Sequence, residues 1–326
     1  MTTVDISITR ETKTDPLVLV TGAAGFIGSA VVSRLSNLGY QVVAVDALLG
    51  GLYPREEKVI KFEQLESLAG VATHKLDLRT DELDSLPSGI THVINEAAMP
   101  GLGLSWTDFE LYSSCNLSAT ARLLEAAKAW QVEKFIQIST SSVYGKNAVG
   151  DETLPTAPVS PYGATKLAAE HLALAHWRDS GLPVSILRYF SVYGPGQRPD
   201  MAYRKFISRA LAGLPIDLYG SGEQSRSNTY IDDCAEVTIG ALHRSTIGEI
   251  YNIAGSEERT INDALAIIEA HLGTKLTINR WESARGDQDR TFGDTGRAQK
   301  DLMFSHSVNL EQGLQRQIDW QKTNGL

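Results

Sequence analysis

The sequence predicts an α/β protein built on a doubly wound parallel sheet, with a smaller C-terminal α/β lobe. Three observations carry this. Short β-branched apolar runs alternate with amphipathic stretches through the first half. A glycine-rich turn joins the first run to the first amphipathic stretch, and after Phe190 the texture changes to Gly, Pro and Arg broken by short helical segments. In chain order, "LVLVTG" reads as a strand, "FIGSAVVSRLSNLG" as a helix, and "QVVAVD", "VATHKLD" and "THVINEAA" as further strands. One long helix is expected around "FELYSSCNLSATARLLEAAKAW", then the strand "KFIQIST", a helix around "YGATKLAAEHLALAHWRDSG" and the strand "PVSILRYF". The segments "SVYGPGQRPDMAYRKF" and "LYGSGEQSRSNTYIDD" open the second lobe, and apolar "GEIYNIAG" is expected to return to the sheet. The predicted boundaries are a flexible tail at 1–15, a first domain at 16–190 with 229–254 returning to it, and a second lobe from 191–228 and 255–326.

At 326 residues, 42% of them hydrophobic, the chain has material for a substantial core and two lobes. A formal net charge of −9 argues against nucleic acid as a partner, which needs a concentrated basic surface. No apolar run approaches the about 18 residues of a membrane span, and "MTTVDISITRETKTDP" lacks the apolar centre of a signal peptide. Cys115 and Cys234 are the only cysteines, each in an apolar helical pattern. That usage suits a reducing, cytoplasmic setting and argues against a disulfide framework or a bound metal.

Chemistry first shows in "VLVTGAAGFIGSAVV", which sets Gly22, Gly25 and Gly28 between the first strand and the first helix. Glycines there permit a tight turn, let backbone amides approach a pyrophosphate and let the helix pack closely; the helix N-terminus adds partial positive charge. Glycine at such junctions also serves packing alone. Here Asp46 closes the second strand roughly 20 residues on, where a carboxylate binds a ribose 2′-hydroxyl. The pattern predicts a Rossmann dinucleotide site with Phe26, Ile27 and Ala97 on the cofactor side. With "DALLGG" after Asp46 and no nearby arginine for a 2′-phosphate, NAD is expected rather than NADP. Asp77 and Leu78, after the third strand, are candidates to flank the adenine, with a plain turn role for Asp77 as the alternative.

In "SPYGATKLAAEH", Tyr162 and Lys166 stand four apart and face one side of a helix. A phenol near pKa 10 is a poor base at neutral pH. A lysine ammonium one turn away and the cationic nicotinamide of bound NAD would favour phenolate. Alone, such a pair is usually two surface neighbours; the glycine turn gives it a reason. "QISTSSVYG" then ends a strand at Thr140, delivering Thr140, Ser141 and Ser142 to the carboxyl edge where ligands bind. Their hydroxyls are candidates to bond a sugar hydroxyl and its developing oxyanion, or merely to cap the loop, the role expected for Ser139.

Taken together, these residues resemble the extended short-chain dehydrogenase/reductase superfamily, in its nucleotide-sugar epimerase and dehydratase branch. The resemblance runs from "TGAAGFIG" through "SSVYG", "SPYGATK" and "LRYFSVYGPGQRPDMA" to "NLEQGLQRQIDW". It implies a resident NAD, Tyr162 as base, Lys166 as its electrostatic partner and ribose ligand, and Thr140 beside the sugar hydroxyl. It also implies that Asn116 lies near the cofactor side, and that a homodimer forms through the helices containing Asn116 and Tyr162. Relatives that expel water carry Asp and Glu directly after the threonine, and decarboxylases of UDP-glucuronate keep a Glu where Ser142 stands. Ser141 and Ser142 therefore make the chain most similar to UDP-glucuronate 4-epimerases, which act on a UDP-sugar.

The resemblance further implies that Arg226 binds the diphosphate, with Arg285 before Gly286 and Asp287 as a second phosphate arginine whose spacing departs by about one residue. The family's usual Asn after "RYF" is Ser191 here, a candidate substrate contact and a departure that argues against a plain UDP-glucose epimerase. Arg188, at the end of its strand, is either a substrate contact or half of a structural ion pair. The alternatives in function are a UDP-glucuronate decarboxylase, a UDP-glucose or UDP-N-acetylglucosamine 4-epimerase, and a non-catalytic NAD-binding regulator. The presence of Tyr162, Lys166 and Thr140 together speaks against the last.

Overall fold

The computed structural model describes residues 16–52, 54–283 and 285–325; the segment read as a tail, 1–15, lies outside them. The chain begins with β1 (Leu17–Thr21), α1 (Phe26–Asn37), β2 (Gln41–Asp46), α2 (Arg55–Glu66), β3 (Val71–Lys75) and β4 (His92–Asn95). It continues through α3 (Phe109–Ser113), α4 (Ala119–Ala129), β5 (Lys134–Thr140), β6 (Asn147–Gly150), α5 (Pro161–Ser180), β7 (Val184–Tyr189) and β8 (Val192–Tyr193). After α6 (Ala202–Leu211) come β9 (Ile216–Tyr219), β10 (Ser225–Ser227), β11 (Thr229–Tyr230), α7 (Ile231–Arg244) and β12 (Ile250–Ile253). The last elements are β13 (Glu258–Thr260), α8 (Ile261–Leu272), β14 (Ile278–Trp281), β15 (Arg290–Gly293), α9 (Gly296–Leu302) and α10 (Leu310–Thr323).

The large sheet has seven strands in the order β12-β7-β5-β4-β1-β2-β3, every neighbouring pair parallel. Its centre is buried on both faces, as continuous apolar runs such as "VSILRY" require, whereas the edge strand "VATHK" is only partly covered. Alternation along β1 divides the core in two. Val18 and Val20 face α1 and α7 with Val31, Leu35 and Val237, while Leu19 faces the opposite layer with Leu123, Phe135 and Ala173. The strand order reverses beside β1, so the crevice for a ligand opens at the carboxyl ends of β1 and β4.

"GEIYNIAG" supplies β12, which extends this sheet beside β7 with Ile250 opposite Ile186. Two segments differ from the sequence reading. β6 lies within the stretch 16–190, yet it pairs with β15 in a second sheet of order β13-β10-β15-β6. The chain leaves the main sheet at Thr140, and its next strand is captured by the second lobe. The long helix expected around Asn116 is also not regular: α3 runs through a π-helical turn at Ser114–Ser118 into α4. The wide turn turns Asn116 toward the loop after β4, where its carboxamide accepts from Met99 N at 2.6 Å and donates to Met99 O at 3.1 Å. Among the described residues no helix is long and apolar enough to cross a membrane.

Candidate active site

A cleft of about 850 Å³ lies between the carboxyl edge of the large sheet and the second lobe. Its floor is the glycine turn. Gly22 has φ +66°, and a Cβ there would stand 2.9 Å from Ala97 N; a Cβ on Gly28 would stand 2.3 Å from Gly22 O. Gly22 therefore serves the turn and Gly28 the close approach of α1. Gly25 caps α1 with no side-chain bond, so the first amides of that helix, beside Phe26 and Ile27, face the cleft. This cradle fits the pyrophosphate of NAD.

Asp46 sits beside the cradle at the end of β2. Its carboxylate accepts from Leu48 N at 2.7 Å and Ala24 N at 3.1 Å, with Lys58 Nζ at 3.6 Å. Each oxygen retains a lone pair for a ribose hydroxyl. A narrower cavity continues from Asp46 along Asp77, Leu78 and Ala97, giving the groove the length a dinucleotide needs. The Asp77 side chain is committed elsewhere, to a bidentate pair with Arg79 whose hydrogen bonds hold its carboxyl below the usual range. Asn116 also stays out of the cleft lining and acts one step back, fixing Met99 and donating to Thr165 at 3.0 Å.

Tyr162 and Lys166 are one turn apart near the start of α5, whose N-terminus is fixed by Pro161 and by Ser160 accepting from Gly163 N at 3.1 Å. Both line the cleft, as do Thr140, Ser141, Ser142, Ser191, Arg226 and Arg285. Burial pushes the Lys166 ammonium down to about 8, while Glu96 and Glu170 oppose that loss. The Tyr162 phenol is pushed up by burial and by the Glu96 carboxyl, against the pull of Arg198 and a hydrogen bond with Thr140. On balance the chain's own groups leave this phenol raised, the pull of Arg198 and Thr140 notwithstanding.

Thr140 Oγ1 accepts from Ser142 N at 3.2 Å and donates to Ser142 Oγ at 3.3 Å, turning the chain so that Ser141 and Ser142 both reach the cleft. Ser139 does not cap the loop, which corrects that expectation: its hydroxyl donates to the buried Glu170 carboxylate. Arg188 requires a correction as a substrate contact. Its Nε and Nη2 donate to Glu170 at 2.9 and 2.7 Å and its Nη1 to Tyr144 at 2.8 Å, so the ion-pair alternative describes it. Burial works against that guanidinium, but the attraction of Glu170 wins and its pKa is raised.

Across the cleft, Arg226 Nη2 donates to Asp287 at 2.8 Å, and the Arg285 guanidinium stacks 3.6 Å from the Trp106 ring centroid. Three further cleft residues were given no role by the sequence reading. Arg198, inside the quoted "GPGQRPDMA", is the guanidinium that acts on Tyr162 and pairs with Asp200 at 2.9 Å. Glu96 directly follows β4, its carboxyl accepting from Tyr189 at 2.9 Å, and burial pushes it up to about 7. An isolated acid in apolar "VINEAA" was the available signal for Glu96; Gln288 offered none.

The model of the NAD dependent epimerase/dehydratase family matches residues 18–254. An uncharacterized UDP-glucose epimerase of Bacillus subtilis is 36% identical over 92% of this chain and 96% of its own length. A UDP-glucuronate 4-epimerase of Thermodesulfobacterium geofontis is 35% identical over 94% of this chain and 96% of its own. The crystal structure of UDP-glucuronic acid 4-epimerase from Bacillus cereus, in complex with UDP-glucuronic acid and NAD, superposes with a TM-score of 0.91 at 40% identity. That match covers 94% of this chain and 99% of the other. With its glycine cradle, Asp46 and the Tyr162–Lys166 pair set around one groove, this chain belongs to the NAD-dependent epimerase/dehydratase family.

Proposed function

We propose that this protein is a nucleotide-sugar 4-epimerase that interconverts UDP-glucuronate and UDP-galacturonate. The observation that carries this is the convergence of Tyr162, Lys166 and Thr140 on one cleft in which the turn after Thr140 presents hydroxyls and no carboxylate. Bound NAD supplies the acceptor for the C4 hydride and returns it to the opposite face of the sugar. Tyr162 Oη takes the proton of the C4 hydroxyl and gives it back, and Lys166 holds positive charge beside the phenol. Arg226 and Arg285 suit the diphosphate, because a guanidinium fork matches phosphate oxygens.

A C5 carboxylate makes the 4-keto sugar a β-keto acid. It loses carbon dioxide once the carboxylate aligns with the carbonyl π system, so an epimerase of this substrate has to hold the group out of alignment. Ser142, Ser191 and the turn amides are assigned that task, with Arg198 as the nearby cation; the Ser141 hydroxyl, which donates to Gln288, holds the turn. In the same reading a homodimer forms through the helices carrying Asn116 and Tyr162, which sedimentation would test.

Incubating purified protein with UDP-glucuronate and no added cofactor tests the function: UDP-galacturonate as product supports it, whereas UDP-pentose, or turnover of neutral sugars alone, refutes it. Arg226→Ala is expected to weaken UDP binding roughly tenfold or more by calorimetry, the range of a charge-assisted hydrogen bond. Turnover is expected to fall as pH rises through about 8, where Lys166 gives up its proton. Glu96 favours the ammonium of Lys166 and disfavours the phenolate of Tyr162. Glu96→Gln therefore lowers both pKa values, and the whole pH–rate profile is expected to move toward acid.

A further inference from the structure

Gln288 is 7% exposed and lies directly under the turn that carries the cleft hydroxyls. Its Oε1 accepts from Ser141 Oγ at 3.1 Å, while its Nε2 donates to Ser141 O at 3.2 Å and to Gly145 O at 2.8 Å. The reversed amide would set its oxygen against two carbonyl oxygens, so the network admits one orientation. Both amide hydrogens and the oxygen are used, and the turn is held at its first residue and at its exit.

The residues just before Gln288 face the nucleotide side. Asp287 Oδ1 accepts from Arg226 Nη2 at 2.8 Å and from the backbone N of Gln288 at 2.8 Å, and Arg285 stacks on Trp106. Gly286 makes the bend between them at φ +80°, where a Cβ would lie 3.1 Å from Trp106 Nε1. Immediately afterward the chain enters β15, in register with β6. One short segment thus supplies one arginine suited to the diphosphate, grips the other and holds the turn suited to the sugar.

We propose that Gln288 is a positioning residue that sets the Ser141–Ser142 turn from the nucleotide side of the cleft, so that the sugar carboxylate is held away from the alignment that releases carbon dioxide. The inference rests on the UDP-glucuronate reading. In the side reaction the C5–C6 bond breaks, its electron pair forms the C4 enolate, carbon dioxide leaves and C5 takes a proton from water. The resulting 4-ketopentose recovers its hydride as UDP-pentose or dissociates with the cofactor still reduced.

Gln288→Met keeps the volume and removes all three hydrogen bonds. With UDP-glucuronate it is expected to raise carbon dioxide release per epimerisation by about fivefold, what one net hydrogen bond amounts to. UDP affinity measured by calorimetry, which reads the diphosphate grip alone, is expected to stay at the wild-type value. An unchanged product ratio together with unchanged UDP-glucuronate affinity overturns the proposal. Should the methionine variant fail to fold, Gln288→Glu, which keeps the acceptor for Ser141 and loses both donors, is judged by the same two readouts. Wild-type protein that epimerises only neutral UDP-sugars would refute the substrate reading instead. Gln288→Met is then judged on the neutral sugar, where lower kcat at constant KM supports positioning and unchanged kcat overturns it.

Discussion

Tyr162→Phe is expected to lower turnover by about 10²- to 10⁴-fold, the contribution of a positioned general base, while NAD stays bound. The substitution removes only the phenolic oxygen. The ring keeps its edge-on contact with Tyr112, whose centroid lies 6.3 Å away at 80°, and the glycine cradle and Asp46 lie elsewhere in the groove. Cofactor content per chain, measured by absorbance after denaturation, checks the second half of the claim. Full activity in this variant would remove Tyr162 from proton transfer. The buried surroundings raise the phenol's pKa, so the base works only when positive charge gathers near it. Arg198 supplies part of that charge within the chain, and Lys166 and bound NAD are assigned the rest.

The largest effect on stability is expected at Arg188. Its guanidinium and the Glu170 carboxylate are 4% and 2% exposed, with Nη2 and Oε2 2.7 Å apart. Arg188→Ala strands Glu170 in the interior, so a loss of about 3–5 kcal/mol is expected from denaturant unfolding. Replacing Arg188 and Glu170 together by methionine should recover part of that loss, because no charge is then left unpaired. Equal destabilisation in the single and double variants would mean that the side chains matter through shape alone.

Much of the site was legible because its determinants are local. The glycine turn, Asp46 and the Tyr162–Lys166 pair each lie within one strand-to-helix junction or one helical turn, and short-range geometry places them. Thr140 was legible for the same reason, since a strand end in this sheet points at the ligand edge. Arg188 was not: a strand-end arginine reads alike whether it meets substrate or Glu170, and only the packing of α5 on β7 decides. Gln288 and Ser141 are separated by 147 positions, so no spacing could join them. The capture of β6 by the second lobe was hidden likewise, because "NAVG" carries no mark of which sheet it enters. The π turn at Asn116 accompanies a bond to the loop after β4, a contact that helix periodicity does not mark.

That β12 completes the main sheet has a consequence for how the protein can be made and cut. The outer flank of β7 stays open until residues 250–253 have emerged and docked. A fragment stopped near position 190 would present a hydrophobic ladder of unpaired amides and carbonyls, a template for intermolecular aggregation. The main sheet therefore gains its last strand only after the intervening residues 191–249 have been translated.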